Sequence, residues 1–261
     1  MSTTAEKISL VVITYNEAQN IARCLDSARA VVDEMLVVDS FSEDDTVAIA
    51  ERKGARVLQH AFAGYIEQKR YAIEQARYER VLLLDADEAL DEQLQNSIQT
   101  VRGDWTHACY TMNRMSTLGD RWIRYGAWYP DRKMRLFERR QYQIVGINPH
   151  DKFVPRPGVA PLHLRGDILH YTNDGLEDRI ATINKFSTVA AAAFAKKGKR
   201  GHLLRVLFKP GLRFFAEFVL KRGFLDGFYG YFIAKTSAQY VFLREVKLLE
   251  LQRKSQKEAS P

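Results

Sequence analysis

The stretch Val81-Leu82-Leu83-Leu84-Asp85-Ala86-Asp87-Glu88 constrains this chain most: an uninterrupted apolar run passes straight into three carboxylates. Four consecutive apolar residues predict a strand buried on both faces, as in a parallel sheet, and ligands of such sheets bind beyond the carboxyl ends of the strands. In extended backbone, Asp85 and Asp87 project to the same side while Ala86 turns away. Two hard oxygen donors facing one cavity suit Mg²⁺ or Mn²⁺, which take a few carboxylates and complete their shells with phosphate oxygens and water. The competing reading is an acidic helix start, since carboxylates also favour helix N-termini.

The flanking sequence supplies a scaffold. Ile8 to Thr14 reads as a first buried strand, and Ala18, Ile21, Ala22, Leu25 and Ala28 recur at helical spacing behind it. Met35 to Val38 is a second strand ending at Asp39. Ser42 and Asp45 resemble a cap for a helix over Val47 to Arg52. Arg56 to Leu58, a helix from Tyr65 to Arg77 and the strand at Val81 follow, so the alternation is β-α-β-α-β-α-β. That order predicts an α/β fold, a mostly parallel sheet between two helical layers. A further helix is expected with Leu90, Leu94, Ile98 and Val101 on one face. After Gly103 the chain turns aromatic, with strand pieces at His107 to Met112 and Lys133 to Glu138 and a helix from Leu176 to Ala195.

With 261 residues, 46% of them hydrophobic, one large core or one domain with an appendage is expected. Cys24 and Cys109, the only cysteines, suggest neither a disulfide framework nor a zinc site. With a polar N-terminus lacking an apolar signal core, they predict a reducing, cytoplasmic setting. The net charge of +7 is lopsided: residues 196–261 carry 15 Lys and Arg against 5 Asp and Glu, and the preceding residues are slightly acidic. The expected division is a domain over 1–195, with halves 1–104 and 105–195, and a basic amphipathic helical tail over 196–261. Gly198, Gly201, Pro210 and Gly211 are expected to interrupt that tail, which alternates basic with apolar residues (Phe208-Lys209, Leu212-Arg213-Phe214-Phe215). No run is long enough to span a bilayer. Such a segment either lies in the plane of an anionic membrane surface, or closes the core as a helical hairpin.

Glu17, Asp39 and the Asp85/Asp87 pair stand after the first, second and fourth strands, so one cleft can hold them all. The ordered set S-L-V-V-I-T-Y-N-E, V-V-D-S-F-S-E-D-D-T and L-L-L-D-A-D-E resembles the family 2 glycosyltransferases, inverting enzymes of the GT-A fold that use nucleotide sugars. The resemblance implies that Thr14, Tyr15 and Glu17 line a nucleoside pocket and that Asp39 accepts from the base of a UDP-sugar. It also implies that Asp85 lies towards ribose and metal and that Asp87 binds the metal. Asp39 is followed here by Ser40, where many members have a second aspartate. Lys69 and Arg70 either neutralise the donor diphosphate or sit on an exposed helix face.

Trp128 to Phe137 and Gly146-Ile147-Asn148-Pro149-His150-Asp151 are similar to the branch that builds lipopolysaccharide cores, as is Lys221-Arg222-Gly223-Phe224-Leu225-Asp226-Gly227. That resemblance implies Asp151 as the general base, where relatives often carry Glu, with Asp131 as second candidate. His150 would orient the base or contact the acceptor, Arg135 would pair with phosphate or a carboxylate, and His170 and Tyr171 either close the cleft or belong to the core. The implied reaction moves a hexose, glucose first among them, from a UDP donor to a lipid-anchored oligosaccharide acceptor. The protein would then be peripheral on the cytoplasmic face of the inner membrane. The alternatives are a catalytically silent nucleotide-sugar binder and a nucleic-acid-binding protein using the basic tail. The latter leaves the ordered carboxylates unexplained, so no nucleic-acid partner is expected.

Overall fold

The computed structural model describes residues 5–146, 152–172 and 175–258. The chain forms two compact units, one of residues 1–115 and 131–171, the other of 116–130 and 172–261.

The first unit follows the expected alternation: β1 (Ile8–Thr14), α1 (Ile21–Ala28), β2 (Glu34–Asp39), α2 (Thr46–Arg52), β3 (Arg56–Gln59), α3 (Tyr65–Glu74) and β4 (Arg80–Asp85). It continues with β5 (Glu88–Leu90) and α4 (Glu92–Gly103). Next come β6 (Cys109–Leu118), whose last residues belong to the second unit, β7 (Arg121–Trp122) in that second unit, and, back in the first, β8 (Asp131–Glu138), β9 (Tyr142–Val145), β10 (Lys152–Pro155) and β11 (Leu162–His170). The main sheet has the order β3-β2-β1-β4-β8-β6-β11-β5, with β7 paired to β6. Strands β1 to β4 are parallel, and β8 joins β4 antiparallel.

Alternate residues of the central strands feed two separate cores, which makes the unit three-layered. Leu10, Val12, Leu82 and Leu84 pack with Ile21 and Leu25 of α1 and Leu94 and Ile98 of α4. Val11, Leu36, Val38, Val81 and Leu83 pack on the opposite face with Ala72 and Ile73 of α3. An apolar run without alternation is the sequence signature of a strand covered on both faces.

Three local expectations change. Leu90 lies in β5, not on a helix, because the chain after Asp85 makes a two-residue turn into a short strand that pairs with β11. Ser42 and Asp45 do not form a capping pair for α2: Asp45 is the N-cap residue but makes no side-chain cap bond, and Ser42 serves the turn after β2 instead. Pro210 and Gly211 do not interrupt the tail.

They lie inside α6 (Leu203–Phe215) of the second unit, whose other helical elements are α5 (Leu176–Lys196), a π-helical turn (Ala216–Leu220), a 3₁₀ turn (Gly223–Asp226) and α7 (Gly227–Glu258). Pro210 removes one helical donor. Packing outweighs that loss: Val206 is buried, and Phe214 meets Tyr231 of α7 edge-on. Helix α5 was expected with the first domain but groups with the second unit, where it packs along α7. Leu118, Ile123 and Ile233 form this unit's small core, with Trp128, Leu176, Tyr229 and Phe232 against it. The Lys221-to-Gly227 run is a tight connection in which Asp226 accepts from the backbone N–H groups of Arg124 and Tyr125 (3.1 and 2.8 Å). No helix among the described residues is long and apolar enough to cross a membrane.

Helix α4 starts where β11 comes close to it. Asp91 caps the helix by accepting from Leu94 N (2.7 Å) and also accepts from Asp167 N (3.0 Å). Gly166 beside it has φ +98°, and a Cβ there would lie 2.2 Å from Leu94 N. Both the backbone conformation and the contact exclude other side chains. Gly166→Ala is expected to lower stability by about 3 kcal/mol, in the range of strained or overpacked substitutions, read as a fall in the urea midpoint. An unchanged midpoint would show that α4 and β11 can part freely.

Candidate active site

The sheet order reverses between β1 and β4, and a crevice opens at their carboxyl ends, the position where open α/β sheets bind ligands. It is a cavity of about 730 Å³, within the usual size range for small-molecule sites. Thr14, Tyr15 and Glu17 come from the end of β1, Ser40 from the β2 loop, Phe62, Tyr65 and Lys69 from the start of α3, Asp85 and Asp87 from the turn after β4, and His170 from β11.

The two loops on one side are tied into a single wall. Asn16 takes a positive φ of 53°, where Asn is tolerated better than most residues. Its backbone N–H donates to Ser42 Oγ (2.8 Å), and its side-chain oxygen accepts from Glu43 N (2.8 Å). Glu17 N donates to Thr46 Oγ1 (2.8 Å), and Ala18 N to Asp44 Oδ2 (3.1 Å). These bonds fix Tyr15 on the rim and turn Glu17 inward. Burial raises the Glu17 carboxyl above its ordinary value, the Asn20 amide opposes this, and the Asp87 and Asp44 charges add to it.

Asp39 does not line the cavity. It is fully buried, and both its oxygens accept from Ser42, through backbone and hydroxyl. Arg70 is exposed on α3 and also stays outside, whereas Lys69 is buried and reaches Asp85 Oδ1 at 3.3 Å. Gln68, beside them and absent from the expected set, bonds Ser40 Oγ and the His60 carbonyl (both 3.1 Å), pinning α3 against the β2 loop.

At the base of the cavity lies a buried charge network. Arg135 of β8, opposite the end of β4, donates to Asp85 Oδ2 (2.7 Å) and Glu88 Oε1 (3.0 Å). Glu88 also accepts from Asp85 N (3.0 Å) and pairs with Arg114 at 3.4 Å. Burial disfavours the charged form of Asp85, but the Arg135 and Lys69 cations outweigh it and hold its carboxyl far below the usual carboxylate range. The same pairing outweighs burial at Arg135 and holds its guanidinium firmly protonated. Arg135 is thus committed to protein carboxylates.

Asp85 and Asp87 share the cavity through the turn Ala86-Asp87 rather than by strand alternation, Asp85 being the last residue of β4. His170 is paired with Glu88 across β5 and β11, which brings its Nε2 to 3.1 Å from Asp87 Oδ2. Tyr171 N donates to the Asp87 carbonyl (2.9 Å), and its ring lies under the Arg23 guanidinium at 3.5 Å. Among the described residues no three or more His, Cys, Asp or Glu side chains gather into a complete metal shell. One carboxylate and one imidazole on the cavity wall do fit an ion that takes its other ligands from phosphate and water. Asp85, with an oxygen on each of Lys69 and Arg135, fits that role less well. Thr14 Oγ1 is buried at the cavity wall without a hydrogen-bond partner, a position a ligand can satisfy.

Asp131 is not in the cavity: its Oδ2 is engaged by Arg114 (2.9 Å) and Lys133 (3.1 Å). His150 and Asp151 lie outside the described residues. The residues that sequence reading missed are Phe62, Tyr65, Ser40, Gln68 and Glu88. The aromatics flanking Gly64 just ahead of a helix were the available signal for the first two, which meet edge-on at 5.1 Å.

A three-layer α/β unit with an aromatic-rimmed, charge-floored crevice at the sheet's switch point has the layout of a nucleotide-binding α/β protein. Residues 9–156 match the model of glycosyl transferase family 2. The chain is 33% identical over 256 residues to an uncharacterized glycosyltransferase of Rickettsia felis, covering 94% of this chain and 90% of that one. It is 26% identical to the lipopolysaccharide core biosynthesis glycosyltransferase LpsC of Rhizobium meliloti, covering 93% and 92%. The crystal structure of S. aureus TarS is similar at 16% identity with a TM-score of 0.48, over 92% of this chain and 55% of that one. The chain belongs to glycosyl transferase family 2.

Removing Arg135 leaves Asp85 with Lys69 alone and Glu88 with only the longer Arg114 contact at the base of the crevice. Arg135→Met is expected to cost about 3 to 5 kcal/mol at neutral pH, the range for breaking a buried pair. The folded carboxyl of Asp85 is depressed, so its contribution is present above the unfolded value and lost as pH falls through the folded one. The gap between variant and wild type should therefore be widest at neutral pH and narrow in acid, followed by urea unfolding across pH. A gap independent of pH would mean that Arg135 acts through packing alone.

Proposed function

We propose that this glycosyltransferase is an inverting, metal-dependent enzyme that moves a hexose, glucose first among the candidates, from a UDP-sugar to a lipopolysaccharide core acceptor. One observation carries the reading: the Asp87–His170 pair and Lys69 face one crevice beneath the aromatic rim of Tyr15, Phe62 and Tyr65. The rim offers flat apolar surface for a nucleoside, and Thr14 offers a hydroxyl to it. Lys69 brings a cation to the side of the cavity where a diphosphate fits. Asp87 and His170 would hold Mg²⁺ or Mn²⁺, which when bound supplies positive charge to the departing diphosphate. Asp85 keeps Lys69 in place. An acceptor hydroxyl must lose its proton as it attacks the anomeric carbon, and Asp151 is the base assigned to that step, on sequence grounds, with His150 beside it. The acceptor class is supported by the likeness to LpsC along nearly the whole chain. A lipid-anchored acceptor accords with a protein that works at the cytoplasmic membrane surface, through its basic, apolar C-terminal helices.

Nucleotide release from a panel of UDP- and GDP-sugars, with Mn²⁺ or EDTA and with or without purified core oligosaccharide, tests the whole proposal. Release should need the metal and the acceptor and should prefer UDP-glucose. Asp87→Ala should abolish metal-dependent UDP binding in calorimetry while the protein stays folded. Binding that is unchanged, and equally insensitive to EDTA, would remove the metal assignment. Asp151→Asn should keep donor binding and slow transfer by about 10²- to 10⁴-fold. Asp131→Asn should cost less, because that carboxylate is already engaged by Arg114 and Lys133. The reverse order would move the base to Asp131.

A further inference from the structure

The second unit has a cavity of its own, about 420 Å³, where the end of α5, the start of α6 and the side of α7 meet. Lys199, Arg200, His202, Arg205 and Lys209 line it over a floor of Phe194 and Leu248. Its single acid, Glu245, is buried and already paired with Lys209 and Arg244, both at 3.0 Å. The remaining cations therefore face the cavity in excess.

The loop that carries these cations is held in shape. The Gln252 side chain accepts from Gly201 N and donates to the Lys199 carbonyl, both at 3.2 Å. Gly201 sits so close to α7 that a Cβ would lie 2.9 Å from Leu249 Cγ. Arg205 Nη1 donates to the Arg200 carbonyl (3.2 Å), and Lys199 Nζ lies 4.3 Å from the centre of the Phe194 ring. Helix α6 starts at this wall, adding the positive end of its dipole.

The same helix leads away from the cavity with an apolar face turned to solvent. Leu203, Leu204, Leu207, Phe208 and Leu212 are 62% to 68% exposed. Leu204, Phe208 and Leu212 follow at i, i+4 and i+8 along one stripe of the helix, with Leu207 and Leu203 on its flank. A basic, pre-shaped pocket at the foot of an exposed apolar stripe complements one kind of molecule, an acyl chain carrying a phosphate.

We propose that the Lys199-Arg200-His202-Arg205 cavity binds the phosphate of an anionic membrane lipid headgroup while the apolar face of α6 lies among the acyl chains. Lys209 and Arg213, basic residues of the tail motif, are not headgroup ligands in this arrangement, because they hold the buried Glu245 and Glu217. The inference rests on the membrane-surface part of the proposed function and on nothing about its sugar or acceptor.

The test is co-sedimentation of the full chain with vesicles of phosphatidylcholine alone, or mixed with phosphatidylglycerol, with no nucleotide or glycan present. Wild type should bind the anionic vesicles selectively and lose them in salt. Lys199→Gln/Arg200→Gln/Arg205→Gln should weaken that binding about 100-fold, at about 1 kcal/mol per basic residue near the surface. The control Arg52→Gln/Arg121→Gln/Arg140→Gln, which removes the same charge from exposed sites elsewhere, should leave it nearly intact. Leu204→Ser/Leu207→Ser/Phe208→Ser should weaken it with all charges kept. Equal losses in the two charge variants would overturn the cavity while leaving a membrane surface role, and absence of selective binding by wild type would overturn both. Inorganic phosphate displacing the protein at millimolar concentration, or tighter retention on single-stranded DNA than on vesicles, would overturn the lipid as ligand. Should the triple cavity variant unfold, the wild-type comparison and the apolar variant still decide.

Discussion

The crevice depends on a guanidinium placed between two carboxylates. Arg135 joins the last residue of β4 to Glu88, and Glu88 reaches back to the backbone of Asp85. Three charged groups taken out of water are costly unless each finds good partners. Here the hydrogen bonds run in a closed circuit around the turn. That circuit sets the direction in which Asp87 points, so a carboxylate on the cavity wall is aimed in part by Arg135 and Glu88, which do not line the cavity. Lys69 closes the network from α3 and leaves Asp85 nearly neutralised, a polar floor instead of a free anion.

The strand-helix order of the first unit could be read from the chain because each central strand is an apolar run and each helix an apolar stripe. Such patterns report burial, and burial is what the sheet demands. The convergence of Glu17, Asp85 and Asp87 was legible for the same reason, since parallel strands bring their carboxyl ends to one edge. Asp39 was not, although it stands at the same edge. Its bonds depend on a residue three positions on, since Ser42 donates to both Asp39 oxygens, and no pattern of apolar burial reports such a bond.

His170 and Arg135 show a second limit. Both act on the Asp85-to-Glu88 turn from strands far along the chain, and only the pairing of β5 with β11 and of β4 with β8 decides that they meet it. Local periodicity carries no register between distant strands. In the tail, composition revealed charge and apolarity but not their sorting. Lys209 and Arg213 turn to internal glutamates while leucines and phenylalanines of the same helix face solvent, a division set by how α6 lies on α7.

The chain visits its helical unit twice, first with residues 116–130 and again from 172 onward. Leu118 and Ile123 arrive on the early visit, yet the Ile233, Tyr229 and Phe232 that cover them belong to the late one. A protein stopped after residue 171 would still display that early hairpin, stripped of its covering. The C-terminal helices are therefore not a cassette that recombination can trade between relatives by a single crossover. A new tail must come with a matching hairpin from the middle of the gene, so the two stretches are bound to diverge together.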